Sequence, residues 1–112
     1  MGLFNELFNK KRNPEAMIYS QLGLDNYERQ DYRGAIQEFT KAINLHPENQ
    51  NFYIMRGTAF EDAENDIEAE KDFCKTLELE PTSFVASYRL GMVYFRKKDF
   101  ENAIKWLKIS WF

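Results

Sequence analysis

At 112 residues the chain is the size of one domain, and 44% hydrophobic residues with 16% aromatics give it the side chains for a core without covalent staples. Fifteen Lys and Arg against 18 Asp and Glu leave a formal charge of −3, spread along the chain, which excludes the basic face of a nucleic-acid binder. One cysteine, Cys74, excludes an internal disulfide framework and points to a reducing compartment, so a cytoplasmic protein is expected.

Residues 1–13 form the first segment. Leu3, Phe4, Leu7 and Phe8 share one face of a short amphipathic helix, with Asn5, Glu6, Asn9 and Lys10 facing away. Asn5 and Glu6 interrupt any signal-peptide core, and Glu6 stands where N-myristoylation wants Ser or Thr. No stretch approaches the roughly 18 apolar residues of a membrane span. Lys10, Lys11 and Arg12 follow the apolar face. One helix of this size binds membranes weakly, so membrane contact is not expected.

From residue 14 the chain reads as helices. Asn13 is an N-cap, Pro14 opens the first turn, and Glu15 lies at the positive end of the helix dipole. Tyr19, Leu22, Gly23 and Asn26 fall at helical spacing. The helix breaks near Gln30-Asp31, with Asp31 as the next N-cap. Ala35, Phe39, Ala42 and Ile43 then carry a second helix, which ends at His46-Pro47 because the residue before proline is pushed out of the helical region. The pattern recurs. Gly23, Gly57 and Gly91 are 34 apart, and so are Ala35, Ala69 and Ala103, and Phe39, Phe73 and Leu107. Tyr19 with Tyr53 and Pro47 with Pro81 keep the same interval. Asn65 or Asp66, and Asp99, mark the later corners, and Glu80-Pro81 the second stop. The units are 16–49, 50–83 and 84–112, within a repeat domain spanning 14–112. β-Branched residues are sparse and never alternate with polar ones, so the fold is all-α.

This frame resembles the tetratricopeptide repeat: a large residue, Leu-Gly, an aromatic, then Ala, an aromatic and Pro over 34 residues. The match runs from residue 16 to the C-terminus. Asn26 replaces the expected aromatic, with Tyr27 beside it; Arg56 stands for the Leu before Gly57; Ser87 is smaller than Tyr19 and Tyr53. Arg56 is expected to pack through its alkyl stem. The resemblance implies an α-solenoid of three helix-turn-helix units, the third incomplete, stacked in a right-handed superhelix whose first helices line a concave groove. The glycines are expected at close helix crossings, with Phe39 and Phe73 filling the space between units.

Catalysis has little to work with. His46 is the sole histidine and is expected as an exposed loop residue. Cys74 needs a depressed pKa and a nearby base to act as a nucleophile, whereas Asp72 and Glu78 would raise it. The acidic run Glu61, Asp62, Glu64, Asp66, Glu68, Glu70 and Asp72 lacks the glycine of a calcium loop and reads as a solvated corner, with a contact to a basic partner as the alternative. No Gly-rich phosphate loop occurs. Neither enzyme activity, cofactor nor metal is expected.

In the family, ligand-facing residues come from fixed slots on each first helix. By resemblance these are Met17, Ser20, Leu24 and Tyr27; Asn51, Ile54, Thr58 and Glu61; and Val85, Tyr88, Met92 and Phe95. The set is largely apolar, with Met and aromatics that suit an adaptable contact. It implies a groove for an apolar or amphipathic peptide of a protein partner; the alternatives are ordinary helix packing or a groove filled by the N-terminal segment. Chaperone-binding members clamp a terminal carboxylate with Lys, Asn and Arg. The corresponding slots are Ser20, Leu24, Met55, Val85 and Arg89, of which only Arg89 is cationic. A heat-shock chaperone's acidic C-terminus is therefore not the expected ligand. The closing residues are strongly apolar, so Trp106, Leu107, Ile109, Trp111 and Phe112 are expected to support self-association as a homodimer, or to mark a piece of a longer array.

Overall fold

The computed structural model describes residues 13–111; the N-terminal amphipathic segment and Phe112 lie outside them. Six α-helices follow in order: α1 Pro14–Glu28, α2 Tyr32–Leu45, α3 Gln50–Asp62, α4 Asp66–Leu79, α5 Phe84–Arg96 and α6 Phe100–Trp111. There is no strand among the described residues. Each helix packs on the next, most extensively within the pairs α1–α2, α3–α4 and α5–α6, and α1 also touches α3. This is an all-α helical repeat.

The corner inside each pair is built the same way. Gln30, Glu64 and Lys98, again 34 apart, adopt φ of 63°. Their N–H groups donate back to Tyr27, Glu61 and Phe95 at 2.9, 3.0 and 3.0 Å. The next N–H groups, of Asp31, Asn65 and Asp99, donate to Asn26, Phe60 and Tyr94 at 2.9, 2.8 and 2.9 Å. This double closure satisfies the last carbonyls of the first helix. The same Asp31, Asn65 and Asp99 then cap the second helix, their side chains accepting from Gly34, Glu68 and Asn102 N–H. One residue thus ends one helix and starts the next, so the corner has a fixed length.

Gly23, Gly57 and Gly91 are buried within helices, as the spacing predicts. A Cβ on Gly23 would lie 2.5 Å from Phe39 Cε1, on Gly57 2.8 Å from Phe73 Cε1, and on Gly91 2.7 Å from Leu107 Cγ. Phe39 and Phe73 therefore seat first on the glycine of their own unit rather than only between units. Their rings also reach the following unit: Phe39 clusters with Ala59, and Phe73 with Leu90 and Val93.

Arg56 does more than pack its stem. Its Nε and Nη2 donate to the Asp72 carboxylate at 2.8 and 2.7 Å, and Nη1 to Thr40 Oγ1 at 3.2 Å. Asp72 is only 4% exposed, and burial pushes its carboxyl up while the guanidinium pulls it back. The slots of this pair hold Leu22 with Glu38 in the first unit and Leu90 with Trp106 in the third. Trp106 is half-buried against the cluster of Phe73, Leu90 and Val93. One position in the repeat is thus filled by an ion pair in one unit and by an indole in the next.

Two stability tests follow from these contacts. Gly57→Leu is expected to overpack the ring of Phe73 and cost about 1–3 kcal/mol, although leucine is the better helix former. Asp72→Ala strands a partly buried guanidinium and is expected to cost about 2–3 kcal/mol, whereas Arg56→Leu/Asp72→Met replaces both partners and recovers most of that loss. Urea melts of the three variants check both expectations.

Candidate functional site

The first helices of the units, α1, α3 and α5, present the slots from which a binding face is expected. Between α1 and α3 lies a pocket of about 140 Å³ lined by Leu24, Tyr27, Phe39, Ile54, Met55 and Thr58. Its only hydroxyls are already engaged. Thr58 Oγ1 donates to the Ile54 carbonyl at 2.7 Å, which leaves its methyl for the pocket. The Tyr27 hydroxyl donates to the Asp62 carboxylate. That hydrogen bond, and burial after it, push the Tyr27 phenol up to about 12. The Tyr27 ring is held further by Tyr32, 5.5 Å away between centroids. The Phe39 ring that rests on Gly23 contributes another wall.

Four expected groove residues, Leu24, Tyr27, Ile54 and Thr58, are thus brought together. Phe39 and Met55 join them unforeseen. Phe39 belongs to a second helix and reads as pure core from its period. Met55 adjoins a groove slot but carried only the carboxylate-clamp comparison.

On α5 the pattern differs. Tyr88 and Phe95 are 53% and 51% exposed, with the Phe95 ring edge-on to Phe100 at 5.8 Å. Met17, Asn51 and Val85 are exposed and Met92 is half-buried. Ser20 spends its hydroxyl on the Met17 carbonyl at 2.8 Å. Arg89 and Glu61 pair with each other at 3.4 Å, and Glu61 also meets Arg96 at 2.8 Å. Arg96 is held a second time by Asp66 at 3.0 Å. Glu70 accepts from Lys97 at 2.6 Å and from the Tyr94 hydroxyl at 3.0 Å. Burial and that hydrogen bond push Tyr94 up to about 12.

The acidic run is therefore not simply a solvated corner. Glu61 and Asp66 pair with Arg89 and Arg96 of α5, and Glu70 with Lys97 just past it, which joins the second unit to the third, while Asp72 pairs with Arg56 of α3 and Glu68 with Lys71 of α4. His46 is likewise not the exposed loop residue expected: it is half-buried, edge-on to Phe52 at 6.2 Å between centroids. Cys74 opens to the surface, and partial burial, then Glu70 and Glu78, push its thiol up. Asp72, named from sequence as a neighbour, is engaged by Arg56 instead. A raised thiol pKa disfavours the thiolate, so the side chain is no activated nucleophile. Among the described residues no three His, Cys, Asp or Glu side chains are grouped to hold a metal.

A family model described as Tetratricopeptide repeat matches residues 20–84, and a second model of the same description matches 85–108. Hsp70-Hsp90 organizing protein 2 of Arabidopsis thaliana is 31% identical over 83 residues, covering 74% of this chain and 14% of that protein. The Protein SGT1 homolog of Bos taurus is 32% identical over 76 residues, covering 68% of this chain and 22% of its own length. The chain thus spans a small part of these relatives. Among solved structures, the first repeat domain of Spaghetti (RPAP3), bound to the HSP90 peptide SRMEEVD, superposes with a TM-score of 0.82 at 23% identity, over 86% of this chain and 76% of that one. The TPR2B domain of yeast Sti1, in complex with pHsp70, gives 0.82 at 23% identity over 86% and 77%. At that identity the likeness is one of fold. The chain belongs to the tetratricopeptide repeat family.

The two tyrosines give a pH test. A phenol whose folded pKa lies above the ordinary value near 10 stabilises the fold below that pH, and the contribution is lost as pH rises through about 12. In an alkaline absorbance titration two of the six tyrosines are expected to ionise last, and Tyr27→Phe and Tyr94→Phe should each remove one of the late steps.

Proposed function

We propose that this chain is a non-enzymatic protein–protein interaction module that holds an apolar or amphipathic peptide segment across α1, α3 and α5. The observation that carries the reading is the pocket between α1 and α3. It is an open depression of about 140 Å³ with an almost wholly apolar lining. It suits one phenyl or branched aliphatic side chain as an anchor. Tyr88 and Phe95 on α5 extend the apolar contact beyond that anchor. Helices pinned by the buried glycine contacts keep the face preformed, which lowers the ordering cost of binding. Structures of the same fold include the two repeat domains of Spaghetti (RPAP3) bound to an HSP90 peptide and the TPR2B domain of yeast Sti1 in complex with pHsp70, which supports a peptide or protein partner here. Among the described residues no helix is long and apolar enough to cross a membrane.

A displayed peptide library selected on the full chain tests this reading. Enrichment of aromatic and branched aliphatic residues is expected, and Ile54→Lys should weaken the selected peptides at least about tenfold, the equivalent of roughly 1.4 kcal/mol. Tyr88→Ala and Phe95→Ala should also weaken binding while costing less stability than Phe73→Ala, which empties a core site at about 3–5 kcal/mol. Enrichment of acidic C-termini would count against an apolar groove.

A specific observation favours a second reading, self-association through α6. Trp111 is 86% exposed, as a ridge between two clefts. One cleft is lined by Ile104, Leu107 and Lys108, the other by Pro81, Thr82, Phe84, Ile109 and Ser110. Trp106 leaves the expected set because it packs inside its own chain, and Leu107 is half taken up by Gly91. The exposed parts of Ile104, Ile109, Trp111 and Phe84 amount to about 500 Å² per copy. A two-fold contact between α6 helices would then bury about 1,000 Å², the lower edge of a specific interface. Sedimentation of the parent is expected to show a weak dimer that Trp111→Glu abolishes. A parent monomeric at high micromolar concentration would remove this reading.

A further inference from the structure

We propose that Glu61 sets the specificity of the groove: its own carboxylate occupies the cationic position beside the pocket, so the groove accepts an uncharged apolar segment and turns away a carboxylate. The inference deepens the peptide-groove reading and rests on it.

Repeat equivalence shows what Glu61 replaces. One unit on from the pocket, the slot of Tyr27 holds Glu61 and the slot of Met55 holds Arg89. The junction of α1 with α3 is therefore an open apolar pocket, and the same place between α3 and α5 is closed by an ion pair at 3.4 Å. Glu61 has a side-chain exposure of 12% and also meets Arg96 at 2.8 Å. Asp66 holds the far side of Arg96 at 3.0 Å. Two guanidinium groups thus face two carboxylates, and no net positive charge is left for a ligand. Glu61 lies one helical turn from Thr58, which lines the pocket, so a segment anchored there passes beside it. An arriving carboxylate meets Glu61 and Asp62, and at Arg89, which bonds Glu61 through Nη1 at 3.4 Å, it finds a guanidinium whose charge is already offset. A ligand carboxylate there adds a further negative charge beside Glu61 and Asp66, and that repulsion offsets what a contact to Arg89 gains. An apolar segment with its own backbone pairs satisfied meets no such opposition.

Removing the charge at constant size should reverse the preference. Glu61→Gln keeps a hydrogen-bonding side chain but frees Arg89 to take a ligand carboxylate.

The probes are N-acetylphenylalanine amide and N-acetylphenylalanine, which share the ring and differ in the carboxylate. Both are titrated into the full chain by NMR, followed at Leu24, Ile54 and Thr58. The parent is expected to bind the amide at least as well as the acid. Glu61→Gln should bind the acid about tenfold better than the amide, the scale of one charge-assisted hydrogen bond. Glu61→Gln/Arg89→Gln should lose that gain, which separates charge readout from a general loosening of the helices. A parent that prefers the acid, or a Glu61→Gln chain with no acid preference, overturns the assignment of Glu61 while leaving the pocket in place. No shift with either probe at the three pocket residues overturns the groove reading itself, and this inference with it.

Discussion

A ring resting on a glycine holds this molecule together. Where Phe39 meets Gly23 and Phe73 meets Gly57, no Cβ fits between the helices, so each pair is drawn to the closest approach that backbones allow. A ring wide enough to cover that glycine also projects past it. Phe39 touches Ala59 in the next unit and lines the pocket between α1 and α3. The contact that closes a unit therefore also sets the spacing between units and forms part of the binding face. In the third unit Leu107 stands on Gly91 with a smaller side chain, and Trp106 packs onto the neighbouring core.

The units are alike in backbone and unlike in chemistry. Leu22 with Glu38, Arg56 with Asp72, and Leu90 with Trp106 fill one site three ways. An ion pair there needs both members, since either alone would leave a buried charge without compensation. An indole and a leucine need only fit. The same exchange appears on the binding face, where Tyr27 and Met55 give way to Glu61 and Arg89 one junction later. The first junction is left open and apolar. The second is closed and ionic, with Glu61 and Asp66 finding counter-charges on α5 and Glu70 on Lys97 just beyond it.

How much of this was legible depends on the range of the interaction. The 34-residue interval, the caps at Asp31 and Asn65, and the stops before Pro47 and Pro81 are local, and the helices follow them closely. The buried glycines were legible because a small residue at fixed intervals inside a helix has few other uses. The left-handed corners at Gln30, Glu64 and Lys98 were not, because none carries the glycine that usually marks such a backbone. The Arg56–Asp72 pair was missed for a different reason: its members lie 16 residues apart and meet only through the crossing of α3 and α4. Glu61, Asp66 and Glu70 look solvated in sequence because their partners are 27 to 35 residues further on. For the pocket, slot-by-slot resemblance supplied four linings, while Phe39 was hidden by its core role.

The two junctions also respond differently to their surroundings. Apolar contact at the α1–α3 pocket does not depend on ionic strength in the way charges do. Arg96 and Lys97 sit near the surface, so their pairs with Asp66 and Glu70 weaken as salt screens them. Glu61 is nearly buried, but its partners Arg89 and Arg96 are as open to solvent as Lys97, so salt screens its ion pairs from the guanidinium side as well. Salt therefore weakens the ion pairs of the α3–α5 junction together. The anchor pocket rests on the first junction and the charge discrimination on the second. The anchor is thus held by burial and is indifferent to salt, whereas the discrimination rests on ion pairs and falls as ionic strength rises.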